Sequence, residues 1–221
     1  MTAETLDVAE FLTARGLDLR ADRDPYLVAE RAAQAVDYMG EHTPPRYGDA
    51  FPTHPDVLDW CAAVISAAVT ASAGRPSIGV RTGPSLLLLG ATGTGKTYEA
   101  YGAVRLISAA GLHTPWLVIC AADLYARMRP RHGVDAETEF RRAADAPLLV
   151  VDDLGAAKTS EWVEEINYRL VNHRYEQQFP TLFTSNVPPA QLKDELGDRV
   201  ASRLAEMTRR VVIKGTDRRR A

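Results

Sequence analysis

Short apolar runs alternate along this chain with longer segments in which apolar residues recur every three or four positions. Such short runs, rich in leucine and valine, are typical of strands buried on both faces, and the longer segments are typical of amphipathic helices. The pattern predicts strands at residues 85–89, 115–120, 148–151, 181–186 and 211–214. It predicts helices at residues 55–73, 98–110, 123–129, 136–144, 160–178 and 198–207, with two more within residues 3–39.

The alternation of strands and helices favours an α/β fold. Strands joined through a helix run parallel to each other, and such a sheet is covered by helices on both faces. The carboxyl ends of parallel strands meet at one edge of the sheet, where ligands bind in open α/β folds. Functional side chains are therefore expected directly after the strands.

The start of the chain is predicted to be a small acidic helical module, residues 1–43, ahead of a domain spanning residues 44–221. Its second helix starts at Pro25 and is predicted to stop at Gly40, with residues 41–45 as a linker. Two interpretations remain open for this module. It either packs on the following domain or forms a docking surface for a protein partner.

Charge and composition narrow the class of protein. Lysine and arginine total 26 against 29 aspartates and glutamates, so the whole chain is no polycation, although residues 197–221 are rich in arginine. Cys61 and Cys120 have no metal-ligand spacing around them and are predicted to be buried free thiols. No signal peptide and no apolar run of about 18 residues is present, so a cytoplasmic protein without a membrane partner is expected.

A glycine-rich stretch follows the first predicted strand. Residues 90–97 match the pattern G-x-x-x-x-G-K-[ST] at every position, between a strand and a helix. Such a loop surrounds phosphate oxygens with backbone N–H groups, and the helix N-terminus adds its positive dipole end. Lys96 is predicted to reach the β- and γ-phosphates, and Thr97 to coordinate Mg²⁺. The predicted nucleotide-binding residues are Gly90, Ala91, Thr92, Gly93, Thr94, Gly95, Lys96, Thr97 and Tyr98.

Polar side chains also follow two later strands. Asp152 ends an apolar run and is predicted to hold Mg²⁺ opposite Thr97. Asp153 could orient and deprotonate an attacking water; because aspartate is one methylene shorter than glutamate, slow ATP hydrolysis is expected. Asn186 could hydrogen-bond that water or the γ-phosphate, and a turn asparagine is the alternative.

Together these segments resemble the AAA+ ATPases of the DnaC/IstB group, which are bacterial and phage helicase loaders and transposition helper ATPases. The resemblance rests on residues 90–97, 149–155, 184–186 and 197–204, and it covers roughly residues 44–221. It implies a P-loop NTPase fold with five parallel strands in the order 5-1-4-3-2 and no sizeable lid domain. It also implies ATP and Mg²⁺ as cofactors.

By the same resemblance Arg203 corresponds to the arginine finger, with Arg199 one helical turn earlier. An arginine from a neighbouring subunit can neutralise charge on the γ-phosphate, which would make hydrolysis depend on a self-oligomer. The alternative is that both are surface arginines paired with Glu195 or Glu206. Arg218 either senses the nucleotide within its own chain or belongs to a basic tail.

Candidate DNA contacts follow the second predicted strand: Tyr125, Arg127, Arg129, Arg131 and His132. Single-stranded DNA is bound by cationic grooves with stacking rings, and the resembled family contacts DNA near this segment. A solvated helix face is the competing interpretation. The resemblance also implies that Arg46 and Tyr47 border the adenine. Trp60, Trp116 and Trp162 are predicted to be core residues.

The leading hypothesis is an AAA+ ATPase that loads a replicative helicase onto single-stranded DNA, with the acidic helices gripping the helicase. The first alternative is a transposition helper ATPase that acts on duplex DNA. The second is an ATP-gated binding module with negligible turnover. The protein partner of the acidic helices distinguishes a helicase loader from a transposition helper. Phosphate release distinguishes both of these ATPases from a binding module with negligible turnover.

Overall fold

The computed structural model describes residues 7–19, 24–72, 79–112, 114–129, 133, 135–156 and 160–215. The chain groups into two compact units. We call residues 84–97 with 115–221 the sheet unit, and residues 1–83 with 98–114 the helical unit. The predicted domain boundary between residues 43 and 44 stays a prediction.

The sheet unit contains five parallel strands in the order β2-β3-β4-β1-β5. Read from its other edge this is the order 5-1-4-3-2, so the predicted P-loop α/β fold is confirmed. The strands are β1 (Ser85–Leu89), β2 (Trp116–Cys120), β3 (Leu148–Asp152), β4 (Thr181–Ser185) and β5 (Thr208–Val212). Every residue of β1 and β4 is buried, as expected for strands inside a parallel sheet.

Five helices of the sheet unit share one apolar core with its strands. They are α5 (Ala121–Met128), α6 (Ala136–Ala144), α7 (Glu161–Glu176), α8 (Leu192–Leu196) and α9 (Asp198–Met207). The core joins Phe183 of β4 to Leu170 of α7 and Leu204 of α9. Helix α7 begins after the predicted cap Ser160, whose hydroxyl accepts a bond from the Val163 N–H.

The helical unit contains α1 (Val8–Thr13), α2 (Pro25–His42), α3 (Pro55–Ala71) and most of α4 (Lys96–Ala109). Aspartates cap the first two helices, and a 3₁₀ turn over Pro45–Tyr47 precedes α3. The buried Glu99 carboxylate of α4 accepts bonds from the N–H groups of Thr53 and His54 and from the Thr53 hydroxyl. A carboxylate therefore satisfies backbone donors just ahead of α3, as helix N-termini favour.

Two boundary predictions were wrong. Helix α2 does not stop at Gly40 but continues to His42, into the predicted linker. It ends at Thr43, which is extended because it precedes Pro44 and a following proline disfavours helical geometry. Strand β5 begins at Thr208, earlier than predicted, because its first three residues pair with Ser85, Leu86 and Leu87 of β1, although two of the three are exposed arginines.

Among the described residues no helix is long and apolar enough to cross a membrane. Cys61 is a buried free thiol, as predicted, whereas Cys120 is a free thiol that is only partly buried.

A buried arginine ties three segments of the sheet unit together. Arg174 of α7 is fully buried and donates to the carbonyl oxygens of Ala143, Ala144, Ala146 and Pro180 and to the Thr181 hydroxyl. These acceptors lie at the end of α6 and just before or at the start of β3 and β4. Burial lowers the pKa of Arg174 to about 9, which still leaves the side chain charged at neutral pH.

We expect Arg174→Met to lower the free energy of unfolding by about 2–4 kcal/mol, because several buried acceptors lose their donor together. Urea unfolding followed by circular dichroism measures this. Arg169→Met is the matched control, since Arg169 lies on the same helix in a partly exposed ion pair with Glu137, and it should cost less than about 1 kcal/mol. Equal losses in the two variants would contradict the role given to Arg174.

Candidate nucleotide-binding site

The phosphate-binding loop lies between the end of β1 and the start of α4. Gly95 has φ +96°, a left-handed conformation that side chains disfavour. At Gly90 a Cβ atom would stand 2.6 Å from the Ile213 carbonyl oxygen, so the loop needs glycine there to pass beside the end of β5. The buried Thr94 hydroxyl donates to the Ala91 carbonyl oxygen at 2.9 Å and closes the turn.

Lys96 is nearly buried in this loop and is surrounded by oxygens. Its Nζ donates to the carbonyl oxygens of Gly90 at 2.8 Å and Ala91 at 2.9 Å, and to Asn186 Oδ1 at 2.5 Å. The third bond spans from the start of α4 to the residue after β4. The structure thus brings Lys96 and Asn186 together, as convergence of the strand ends requires.

Thr97 and Asp152 also meet. Thr97 Oγ1 lies 3.1 Å from Oδ1 and 3.0 Å from Oδ2 of Asp152. Two oxygens on one octahedral Mg²⁺ at its usual distance lie roughly 3 Å apart, so this pair fits two neighbouring ligands of that ion. The described residues contain no group of three His, Cys, Asp or Glu side chains suited to a metal.

Asp153 has a left-handed backbone with φ +59°, which is uncommon for a residue other than glycine. Its N–H donates to Thr184 Oγ1 at 2.9 Å, and its carboxylate accepts a short bond from the Asn186 amide. Asp152, Asp153, Asn186, Lys96 and Thr97 therefore form one connected polar cluster. Strained backbone of this kind is often found at functional sites.

Two further residues of this cluster, Thr184 and Ser185, belong to the segments that carry the resemblance, but no role was predicted for them from the sequence. The Thr184 hydroxyl donates to Asp152 Oδ1 at 2.6 Å, and the Ser185 hydroxyl donates to the Leu154 carbonyl oxygen at 2.6 Å. Both side chains are buried at the carboxyl end of β4. The available signal was the polar end of an otherwise apolar strand, but their partners follow only from the pairing of β3 with β4.

Tyr98, Arg46 and Tyr47 belong to the helical unit. The Tyr98 hydroxyl donates to the Asp49 carbonyl oxygen at 3.1 Å, and the Tyr47 ring stacks on Tyr101 with centroids 4.6 Å apart. These contacts hold the segment before α3 against α4. Roles for these residues beside a nucleotide stay predictions.

The two arginines predicted to act across an interface lie on one face of α9 and stack on tyrosines of α7. The Arg199 guanidinium is 5.5 Å from the Tyr168 ring centroid, and that of Arg203 is 4.5 Å from Tyr175. Arg203 also pairs with Glu206 at 3.3 Å, the contact that the alternative interpretation expected, while its side chain stays 35% exposed. Surface pairs of this kind contribute little stability, so Arg203 can leave its partner at small cost.

The prediction that Tyr125 contacts DNA is wrong. Tyr125 is 4% exposed and donates its hydroxyl to Asn167 at 2.6 Å, so it is a core residue and no platform for a base. Burial raises the pKa of its hydroxyl to about 12. Arg127 lies 3.8 Å from Glu139 and Arg129 is exposed, while Arg131 and His132 lie outside the described residues, as does Arg218. Trp60 is buried as predicted, and Trp116 and Trp162 are partly buried.

The sheet order, the loop after β1 and the polar ends of β3 and β4 place this protein in the AAA+ class of P-loop ATP-binding proteins. The chain belongs to the family of IstB-like ATP binding proteins, whose model matches residues 78–220. It is an ATP-binding AAA+ domain of the DnaC, DnaI and IstB type.

Similar proteins are found among replication factors. The chain is 26% identical over 136 residues to the replicative helicase loader DnaI of Bacillus subtilis; the match takes in 59% of this chain and 43%, less than half, of DnaI. The crystal structure of the DnaC helicase loader is similar over 77% of this chain and 100% of its own, with 24% identity and a TM-score of 0.58. The replication initiator DnaA bound to AMPPCP and single-stranded DNA is similar over 79% of this chain and 52% of its own, with 18% identity and a TM-score of 0.59. Both structural similarities show a shared fold.

We expect Lys96→Met to weaken the binding of a fluorescent ATP analogue roughly 10- to 100-fold, the effect of losing a charged hydrogen bond of about 1.5–3 kcal/mol. Fluorescence anisotropy measures the dissociation constant. Lys193→Met is the control, because Lys193 is an exposed lysine paired with Asp198 on the surface. Unchanged affinity in Lys96→Met, with thermal unfolding preserved, would remove this loop from the nucleotide site.

Proposed function

We propose that this protein is an ATPase that loads a replicative helicase onto single-stranded DNA. The observation that carries the ATPase part is the single polar cluster in which Lys96, Thr97, Asp152, Asp153 and Asn186 meet at the carboxyl ends of β1, β3 and β4. The similarity to DnaI and DnaC supports the loading part.

The residues of the cluster divide the work of hydrolysis. Thr97 Oγ1 and the Asp152 carboxylate would hold Mg²⁺, which would supply neutralisation of the charge on the phosphates of ATP. Lys96 exchanges one of its present oxygen partners for a phosphate oxygen. Asp153 accepts a proton from the attacking water, and Asn186, already bonded to Asp153, orients that water. The short reach of aspartate makes turnover slow.

Arg203 completes the site of an adjacent copy of the chain. Its partial exposure and weak ion pair allow it to reach outwards, and Arg199 stands one turn away on the same face. Charge that develops on the γ-phosphate is then neutralised in trans. Hydrolysis therefore depends on a self-oligomer.

Two inactive variants together test this arrangement. We expect Arg203→Ala to lower turnover on the order of 10³-fold while nucleotide binding is kept. Lys96→Ala should weaken nucleotide binding roughly 10- to 100-fold, so that its own site stays largely empty at an ATP concentration well below its dissociation constant. In an equimolar mixture about a quarter of head-to-tail interfaces combine an intact loop with an intact arginine, so activity should return to that fraction of wild type. Phosphate release is the measurement, with Arg142→Ala, an exposed arginine of α6, as control. A mixture as inactive as its components would exclude action in trans.

The surface of α2 supports a docking role for the first residues of the chain. In the described part of the chain, four of the five exposed large hydrophobic side chains lie on this helix: Tyr26, Leu27, Val36 and Tyr38. Leu27 and Tyr38 are eleven residues apart, about three helical turns, and therefore lie on one side. Apolar side chains clustered on an exposed helix mark protein contacts. We assign the replicative helicase as their partner.

We expect the double variant Leu27→Ser, Tyr38→Ser to bind the replicative helicase of the same organism at least roughly tenfold more weakly, with nucleotide affinity unchanged. Biolayer interferometry gives the affinity, and helicase loading onto circular single-stranded DNA gives the functional readout. Val212→Ser is the matched control, since Val212 is equally exposed, at 47%, on β5.

The rival functions have their own outcomes in these assays. Capture of a transposase with tight binding to duplex DNA, and no loading of helicase, would favour a transposition helper. Nucleotide binding with no phosphate release, with or without single-stranded DNA, would favour an ATP-gated binding module.

A further inference from the structure

Three consecutive residues at the end of β4 hold three consecutive residues at the end of β3. Thr184 bonds to Asp152 and Asp153, Ser185 to Leu154, and Asn186 to Asp153. The Leu154 N–H also donates to the Thr184 carbonyl oxygen at 2.8 Å. The end of β3 and the turn that follows it carry the two acidic side chains, and the end of β4 holds both through these bonds. Within the turn, the Ala156 N–H donates to the Asp153 carbonyl oxygen at 3.3 Å.

Thr184 has the central place in this clamp. Its hydroxyl has one hydrogen, which is donated to Asp152 Oδ1 at 2.6 Å, and its oxygen accepts the Asp153 N–H at 2.9 Å. The side chain is 1% exposed, so water does not replace these bonds. The pairing of Val151 with Phe183 brings the next residues of the two strands opposite each other, which explains why the contact forms.

Both bonds act on functional features of the cluster. The bond to Oδ1 restrains the carboxylate of Asp152 beside Thr97 Oγ1. The second bond gives the Asp153 N–H an acceptor, the Thr184 hydroxyl oxygen, in a residue whose backbone has a left-handed φ of +59°. Without the hydroxyl the carboxylate could rotate away, and a backbone N–H would lose its acceptor.

We propose that Thr184 is a positioning residue that orients Asp152 for Mg²⁺ and fixes the backbone of Asp153. This inference rests on the proposed binding of Mg²⁺ and ATP at the cluster. Hydrogen-bond partners of metal ligands typically change metal affinity roughly 10- to 100-fold when they are lost. Because Thr184 is 1% exposed, we expect it to make no contact with the nucleotide, and nucleotide binding without Mg²⁺ should be independent of it.

The test compares Thr184→Val, which keeps the shape and removes the hydroxyl, with Thr184→Ser, which keeps the hydroxyl. The affinity of a fluorescent, non-hydrolysable ATP analogue is measured in EDTA and during a Mg²⁺ titration. We expect the Mg²⁺ concentration that gives half of the full increase in nucleotide affinity to be roughly 10- to 100-fold higher in Thr184→Val than in wild type. The nucleotide affinity in EDTA should be unchanged. Thr184→Ser should stay within about threefold of wild type, because its hydroxyl restores the same bonds.

The matched control is Thr208→Val. Thr208 is a buried threonine of β5 whose hydroxyl donates to the Leu204 carbonyl oxygen, away from the acidic pair. It should change thermal unfolding without changing the Mg²⁺ titration. If Thr184→Val does not fold, Thr184→Ala replaces it with the same expectation.

A double-mutant cycle separates positioning from packing. In an Asp152→Asn background Thr184→Val should have no further effect on the Mg²⁺ titration, because the group that it orients is already changed. Additive effects, equal losses in the valine and serine variants, or a wild-type titration in Thr184→Val would overturn the inference. If wild type itself shows no Mg²⁺-dependent nucleotide binding, the proposed ATPase function fails. If wild type shows such binding and Thr184→Val does not differ from it, only the inference about Thr184 fails.

Discussion

The order of the parallel strands is the constraint on which the rest of this structure depends. Because β4 lies between β1 and β3, the residues that leave these three strands meet at one edge of the sheet although they are distant in sequence. Residues 90–97, 152–153 and 184–186 are brought together only by this order. An order in which β4 did not lie between β1 and β3 would keep every motif intact but would separate Lys96 from Asn186 or Thr184 from Asp152.

The side chains of the polar cluster are fixed by hydrogen bonds to one another and to the ends of the strands. Asp152 lies between two hydroxyl groups, Asn186 lies between a lysine and a carboxylate, and the turn after β3 is bonded to the end of β4. Further from the cluster, Arg174 bonds the segments that enter β3 and β4. A site built in this way loses little entropy when a ligand binds, since its groups are already oriented.

Motif and periodicity were sufficient for the α/β class and for most of the residues that the structure brings together in the polar cluster, whose roles stay predictions. The loop at residues 90–97 and the carboxylate after β3 follow from local patterns, and the strand order came from the resemblance that these patterns support. The bonds of Thr184 and Arg174 could not be predicted, because they depend on which strands are neighbours and in what register. The burial of Tyr125 was missed for a related reason: in a short helix, the buried face cannot be chosen without its neighbours. Gly40 was a local signal that misled: it was predicted to end α2, but the helix continues through this glycine and ends before Pro44.

The central claim is that one magnesium nucleotide binds where β1, β3 and β4 end. A crystal structure with Mg²⁺ and a non-hydrolysable ATP analogue tests it most directly. The account predicts Mg²⁺ bound through Thr97 Oγ1 beside the Asp152 carboxylate, with Lys96 Nζ on a phosphate oxygen. A nucleotide bound elsewhere, or bound here with Lys96 and Asp152 both directed away from its phosphates, would contradict it.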